Sequence, residues 1–197
     1  MQRLTRPEIL ALVASLLIAA VLRLAGLGAL PAGLYRDEAF YGLDAVGVLR
    51  GQHAIYFPAN NGREPMFVYL LAASISLLGR GPLAIRLTAS IISLLAVPAT
   101  FLMARELFGK RVGLVSAAVL AATLWPVHLA HVGYRVGLLP LFAALTAWQA
   151  ARACKTGQAK YWLAAGILYG LTFYTYLAAR FTPLVIAAMA IYGWFAF

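Results

Sequence analysis

The stretch YRDEAFYGLDA, from Tyr35 to Ala45, holds three of the six acidic residues of a 197-residue chain. It follows a long apolar run from Ile9 to Leu30. On a helix that begins near Asp37, the side chains of Asp37, Tyr41 and Asp44 fall at positions i, i+4 and i+7, on one face. The spacing therefore predicts an amphipathic helix that lies at a membrane surface and presents carboxylates.

The composition assigns the chain to membrane proteins. Hydrophobic residues make up 63% of the sequence and charged residues 11%, whereas a soluble domain has about half and a quarter. A soluble core of this size could not hide so much apolar surface, so lipid must solvate much of it. The apolar runs are continuous rather than alternating, which favours helices over a barrel. We expect an all-α polytopic membrane protein.

The net charge of +10 comes from basic residues that are dispersed between apolar runs. Such charges fix topology, and they argue against nucleic acid as a partner. Three clusters contain several basic residues and little acid, and the positive-inside rule places all three in the cytoplasm. They are Arg3 and Arg6; Arg105, Lys110 and Arg111; and Arg152, Lys155 and Lys160.

This charge pattern predicts a single transmembrane module of about six spans. The predicted spans are 9–30, 83–104, 112–129, 137–152, 161–179 and 183–197. The N-terminus is then cytoplasmic, and the protein is integral to the plasma (inner) membrane. The last apolar run ends at Phe197 without a polar anchor, as in a sequence that is truncated relative to a longer protein.

The segment 31–82 is predicted to be an outer loop that faces the outside or the periplasm. Its apolar part has only about fifteen residues, where a span needs about twenty. Counting it as a span would also move the cluster around Arg105 to the outside. We therefore expect two surface helices, at about 37–50 and 66–79. Arg23 lies late in the first span, where its side chain could reach the outer interface.

Two interpretations of the acidic stretch remain open. Asp37 and Glu38 fit the first turn of a helix, where an acid caps the backbone and complements the helix dipole. Capping does not account for Asp44, or for the acids lying beside Arg36 and Arg63. The second interpretation is a functional site. Clustered charges tend to mark such sites, but they do so only as a tendency, so capping stays open.

Two arginines of the predicted outer side are candidates for binding phosphate. Arg63 follows an Asn-Asn-Gly turn, and its guanidinium suits bidentate contact with a phosphate. It could instead be a solvated turn residue or pair with Glu64. Arg135 could bind a lipid head group. His128 and His131 lack a third ligand nearby in sequence, so we expect interfacial histidines, no metal and no cofactor.

Several motifs together resemble the membrane glycosyltransferases of the GT-C superfamily. A Leu-Pro ends the first span, and it is followed by YRDEAFY, GREP, IRL and ARELFGKR. The pattern is most similar to the protein O-mannosyltransferases and the lipid A aminoarabinose transferases. The resemblance covers nearly all of this chain but only the N-terminal part of a full family member.

The resemblance implies a reaction and a set of site residues. Such enzymes move a sugar from a polyprenyl-phosphate donor to an acceptor hydroxyl on the outer face, with inversion. Asp37 would be the general base, with Glu38 beside it as a second catalytic carboxylate. Residues implied to contact the substrates are Arg36, Tyr41, Asp44, Arg63, Glu64 and Arg135. The partners would be the lipid-linked sugar, membrane lipid, a protein, lipid or glycan acceptor, and further membrane subunits.

One feature departs from that family pattern. Many relatives carry an aspartate shortly before a Pro-Leu pair in the second outer loop, at a place that corresponds here to Leu138. No acid follows Glu106 in the sequence. The alternative function is therefore a non-catalytic module or small subunit that binds lipid phosphate or a partner membrane protein. A transporter would need charges buried at mid-membrane, which the sequence does not indicate.

Overall fold

A computed structural model describes residues 4–59 and 62–196; Arg3, Asn60, Asn61 and Phe197, which enter the predictions above, lie outside the described residues. Within this part of the chain all regular elements are helical, apart from one bridge between Phe57 and Arg63. The α-helices are α1 (Arg6–Leu24), α2 (Arg36–Leu49), α3 (Pro65–Leu78), α4 (Pro82–Phe108), α5 (Lys110–Ala122), α6 (Leu124–His131), α7 (Leu138–Thr156), α8 (Ala159–Thr172) and α9 (Thr182–Ala196). Short 3₁₀ helices cover Arg135–Gly137 and Leu177–Phe181.

The helical class is confirmed, and the helices are apolar enough for a membrane protein. By length and composition, two of the described helices, α1 and α4, could each cross a bilayer. A third span exists if α5 and α6 are counted together, although they are bent by 49° at their junction. The arrangement of six spans remains a prediction.

Two ion pairs bring the predicted basic clusters to one end of the bundle. Lys110 Nζ lies 2.8 Å from Glu8 Oε1, which joins the start of α5 to the start of α1. Lys155 Nζ lies 3.2 Å from Glu106 Oε1, which joins the end of α7 to the end of α4. The helix ends that carry the basic clusters are therefore neighbours, as the positive-inside rule requires of loops on one side of a membrane.

Three predicted apolar segments end or break earlier than expected. The first helix ends at Leu24, and the chain from Ala25 to Tyr35 forms turns that include Gly26 and Gly33, both at positive φ. The third segment breaks at Thr123, three residues before Pro126, which cannot donate a backbone hydrogen bond. The fifth segment ends at Thr172.

Helices α2 and α3 occupy the predicted outer loop. Helix α3 has 14 residues and is about 21 Å long, which is less than the roughly 30 Å of a bilayer's hydrocarbon core. Tyr41 and Ala45 of α2 share one buried cluster with Phe67 and Leu71 of α3. Both helices are therefore packed onto the bundle through their apolar faces.

Arg23 was expected at the interface, and this expectation is wrong because its side chain is fully buried between helices. Its guanidinium donates to Ser93 Oγ at 2.9 Å, to the Ala121 carbonyl at 2.7 Å and to the Leu120 carbonyl at 2.9 Å. In a continuous helix these carbonyls would accept from residues four positions later. Because α5 ends at Ala122, they need another donor. Arg23 supplies it.

We predict that Arg23→Gln lowers the free energy of unfolding by about 1–3 kcal/mol, because a shorter amide cannot reach both buried carbonyls. Chemical unfolding of the detergent-solubilised protein measures this change. Arg80→Gln is the control, because Arg80 is exposed at the turn between α3 and α4 and its replacement should change stability by less than about 0.5 kcal/mol. Equal stabilities of the two variants would contradict the role of Arg23.

Candidate functional site

An open cavity of about 990 Å³ lies where α2, α6 and the two 3₁₀ helices approach one another. This volume is at the upper end of the range of ligand pockets, roughly 300–1,000 Å³. Its lining combines polar and apolar side chains, as ligand pockets commonly do. The polar residues include Asp37, Tyr41, Arg63 and Arg135, and the apolar ones include Leu34, Trp125, Leu129, Val132, Val136 and Leu177.

The structure brings four of the predicted site residues to this one cavity. Asp37 and Tyr41 come from α2, Arg63 from the residue pair before α3, and Arg135 from the first 3₁₀ helix. The other four predicted residues, Arg36, Glu38, Asp44 and Glu64, are not among the described residues that line it. The carboxylates of Glu38, Asp44 and Glu64 each contact a buried arginine instead.

Glu38 was expected to stand beside Asp37 in the reaction, but its side chain points into the bundle and is fully buried. Its Oε1 accepts from Arg86 Nε at 2.9 Å, and its Oε2 accepts from the Tyr35 backbone N–H at 2.7 Å. Arg86 Nη2 is a further 3.4 Å from Oε2. The acceptor positions of this carboxylate are thus occupied by protein, away from the cavity.

Arg86, on α4, is the buried residue that sequence reasoning missed. Only 1% of it is exposed, and it donates to the Leu27 carbonyl at 3.2 Å and to the Gly33 carbonyl. The sequence signal was present in the IRL motif, where a charge interrupts an apolar run. A charged residue inside a candidate membrane span is a candidate functional or structural site.

The backbone of Gly133 packs closely against the Glu38 carboxylate. Its φ of +62° is unfavourable for other residues. An added Cβ would lie 2.8 Å from Ile85 Cγ2 and 3.0 Å from Glu38 Oε1. The absence of a side chain therefore allows the turn after α6 to approach the Glu38–Arg86 ion pair.

Arg63 is almost fully buried, with 1% exposed. Neither predicted alternative holds: it is not solvated, and it pairs with Asp44 rather than Glu64, with Nη2 3.0 Å from Oδ2. The guanidinium also lies 5.4 Å from the Phe40 ring centre and 5.6 Å from that of Tyr41. Arg63 lines the cavity, and its buried Nε, Nη1 and Nη2 atoms have no hydrogen-bond partner within residues 4–59 and 62–196. Its contact with Asp44 is therefore an ion pair without a hydrogen bond.

Arg135 has a similar environment. Its Nη1 donates to Glu64 Oε2, its Nη2 donates to the Gly62 carbonyl at 3.3 Å, and its guanidinium lies 5.1 Å from the Tyr176 ring centre. Its Nε has no hydrogen-bond partner in the described part of the chain. Glu64 Oε1 also contacts Arg180 Nη2 at 3.5 Å, so one buried carboxylate joins the turns before α3, α7 and α9.

Burial changes the proton affinities of three groups at this site. It raises the pKa of the Tyr41 phenol, although the nearby Arg135 opposes the shift. It likewise raises the pKa of Tyr134, which a hydrogen bond with Tyr35 raises further. Burial also raises the pKa of Asp44 against the opposing effect of Arg63. Both phenols therefore remain protonated at neutral pH and can donate hydrogen bonds.

The remaining sequence candidates have different surroundings. His128 lines the cavity and packs 5.8 Å from the Trp125 ring, whereas the His131 Nε2 atom contacts the Leu22 carbonyl at 2.9 Å. Leu138, at the place where relatives carry an aspartate, is buried in the hydrophobic core. An acid at that position would be desolvated here, so the leucine suits its packing.

We predict that Gly133→Ala lowers the free energy of unfolding more than Gly157→Ala does. Both glycines have similar positive φ values, +62° and +67°, but a Cβ at Gly157 would meet no atom within 4 Å. The control should lose about 1–2 kcal/mol from backbone strain alone, and Gly133→Ala should lose about 1–3 kcal/mol more through overpacking. Equal losses, measured by chemical unfolding, would show that the turn does not press on Glu38.

The sequence signature of the dolichyl-phosphate-mannose-protein mannosyltransferase family matches residues 61–196. The matched segment includes Arg63, Arg86 and Arg135 and begins after α2. Among curated proteins, none matches the chain. The match covers more than half of the sequence and confirms the resemblance to GT-C membrane glycosyltransferases. With apolar helices and a cavity lined by arginines, the chain belongs to the dolichyl-phosphate-mannose-protein mannosyltransferase family.

Proposed function

We propose that this chain moves a sugar from a polyprenyl-phosphate donor to an acceptor hydroxyl on the outer face of the membrane, inverting the anomeric carbon. The observation that carries the proposal is the meeting of Asp37 with two buried arginines, Arg63 and Arg135, at one cavity. A carboxylate can accept the acceptor's proton, and guanidinium groups can hold the donor's phosphate.

The proposed topology has six spans in the plasma (inner) membrane. The N-terminus and the three basic clusters lie on its cytoplasmic side. The two ion pairs Lys110–Glu8 and Lys155–Glu106 lie at the basic end. The cavity is lined from the opposite helix ends, namely the start of α2 and the turns before α3, α7 and α9. The cavity then opens on the outer side, where a lipid carrier would present its sugar.

The two arginines are suited to the donor's phosphate because each is already oriented. Asp44 holds one edge of Arg63, and Glu64 holds one edge of Arg135. All three guanidinium nitrogens of Arg63 and Nε of Arg135 are buried without a hydrogen-bond partner in the described residues, so a phosphate that reached them would supply the missing acceptors. Preorganised donors stabilise charge that grows on a leaving group, which is often the largest catalytic contribution.

In the proposed reaction, Asp37 takes the proton of the acceptor hydroxyl as its oxygen bonds to the anomeric carbon. The bond from that carbon to the phosphate oxygen breaks, and polyprenyl phosphate leaves with the electron pair. A single displacement of this kind inverts the anomeric carbon. General-base assistance contributes about 10²- to 10⁴-fold in rate. The apolar residues Leu129, Val132 and Leu177 of the lining would contact the isoprenoid chain near the phosphate.

We predict that Asp37→Asn lowers the transfer rate by about 10²- to 10⁴-fold, because an amide cannot accept the acceptor's proton. Transfer is followed with radiolabelled polyprenyl-phosphate mannose in membranes that contain the protein, and donor binding is measured separately. Binding should stay within about twofold of wild type, since the arginines are unchanged. Glu106→Gln, at the opposite end of the bundle, is the control and should be fully active.

Two results would count against this mechanism. Full transfer by Asp37→Asn would remove Asp37 as the base. A wild-type protein that binds the donor but transfers sugar to no protein, lipid or glycan acceptor would favour the alternative, a non-catalytic membrane module or subunit that binds lipid phosphate.

We predict that Arg63→Ala weakens binding of polyprenyl-phosphate mannose by about tenfold or more, because a hydrogen bond to a charged group contributes about 1.5–3 kcal/mol. Arg63→Lys should recover only part of the loss, since an ammonium keeps the charge without the planar fork. Arg50→Ala is the matched control, because Arg50 is exposed at the end of α2. Unchanged affinity of Arg63→Ala in a direct binding assay would remove Arg63 from the donor site.

A further inference from the structure

We infer that Glu38 and Arg86 are positioning residues, which hold Asp37 and the opposite cavity wall in register without touching a substrate. The inference rests on the proposed role of Asp37. It assigns Glu38 a task different from that of its acidic neighbour, although the two carboxylates are adjacent in sequence.

Arg86 fixes the chain on both sides of one cavity wall. It donates to the Leu27 carbonyl at 3.2 Å, to the Gly33 carbonyl, and to Glu38 Oε1 at 2.9 Å. The residues between these points include Pro31, Leu34 and Tyr35 of the cavity lining. Because this segment forms turns rather than a helix, one side chain supplies contacts that a helix would make within itself.

Glu38 sets where α2 begins and therefore which way Asp37 points. Its carboxylate accepts from the Tyr35 N–H at 2.7 Å, three residues earlier. Successive side chains of an α-helix are rotated by about 100°. With Glu38 directed into the bundle, Asp37 is turned onto the neighbouring side, where it lines the cavity.

The same carboxylate reaches the second wall through Gly133, whose ideal Cβ position lies 3.0 Å from Glu38 Oε1. The next two residues, Tyr134 and Arg135, line the cavity. The Tyr35 and Tyr134 rings lie 5.8 Å apart, so the two walls also touch directly. A shift of Glu38 would therefore move Asp37 relative to Arg135, the proposed base relative to a phosphate donor.

Because the Glu38–Arg86 ion pair is buried, Glu38 can position Asp37 but cannot itself contact a substrate. Glu38 has no exposed surface and Arg86 has 1%, and both carboxylate oxygens have protein donors. A group that exchanges a proton with an acceptor must reach the reacting atoms. Glu38 does not line the cavity, and its charge is matched by Arg86.

A distance measurement tests the inference independently of any sugar transfer. Spin labels are placed at Leu43→Cys on α2 and Leu124→Cys on α6, both highly exposed, in a Cys154→Ser background because Cys154 is an exposed thiol. We expect Glu38→Gln to broaden or shift the distance distribution. Glu106→Gln, which removes the acid of an ion pair at the other end, should leave it unchanged.

The kinetic arm uses full-length chains in membranes with polyprenyl-phosphate mannose. Glu38→Gln should lower kcat about 100-fold, the effect of misplacing a catalytic group by about 1 Å, with little change in donor KM. Arg86→Gln, which loses the contacts with the Leu27 and Gly33 carbonyls as well as with Glu38, should lower kcat by at least as large a factor. Glu38→Asp, which keeps the charge but shortens the side chain, serves if Glu38→Gln does not fold and should lower kcat by a smaller factor.

The outcomes distinguish this inference from the proposed function. Loss of transfer in Glu38→Gln with an unchanged distance distribution would overturn the inference and make Glu38 a catalytic residue. Unchanged distances and unchanged kcat would also overturn it. A changed distance distribution in Glu38→Gln, together with full activity of Asp37→Asn, would support the positioning role while removing the assigned base.

Discussion

The buried ion pair between Glu38 and Arg86 is the constraint on which the cavity depends. Removing a carboxylate and a guanidinium from water costs several kcal/mol for each ion, and only mutual attraction and full hydrogen bonding offset that cost. Here the offset comes from the backbone: the Tyr35 N–H completes the carboxylate, and the Leu27 and Gly33 carbonyls complete the guanidinium. The ion pair is thereby joined to the irregular segment before α2. This segment forms neither a helix nor a strand, so it lacks the regular backbone hydrogen bonds that would otherwise hold it in place.

Arg23 meets the same requirement at a second interruption. Backbone that leaves a helix inside an apolar bundle must find new partners, and the carbonyls at the end of α5 find the guanidinium of Arg23. The interruption has a consequence for the cavity, because α6 departs from the direction of α5 by 49° and contributes Trp125 and His128 to the lining. Two arginines thus complete the bundle, whereas Arg63 and Arg135 face the cavity.

The sequence predicted the helical class, the convergence of Asp37 with Arg63 and Arg135, and the grouping of basic residues at one end. Composition and charge carry the helical class and the basic end, whereas the convergence of the three site residues was implied by the family resemblance. It did not predict the burial of Arg23, because an arginine near the end of an apolar run reads as an interface anchor, and only the packed structure reveals the open carbonyls of another helix. It also could not separate Asp37 from Glu38. Their directions depend on Arg86, 48 residues further along the chain than Glu38.

The charges around the cavity also bear on how a phosphate could bind and then leave. The two arginines that line the cavity, Arg63 and Arg135, are each paired with an acid, Asp44 and Glu64 respectively, so their formal charges are compensated. Affinity for phosphate would then arise from oriented N–H groups rather than from excess positive charge. In the proposed reaction the leaving phosphate gains one negative charge while Asp37 loses one by accepting a proton. The total charge of site and substrates stays constant, so the step needs no counterion, and the product phosphate is not held by an uncompensated cluster of cations.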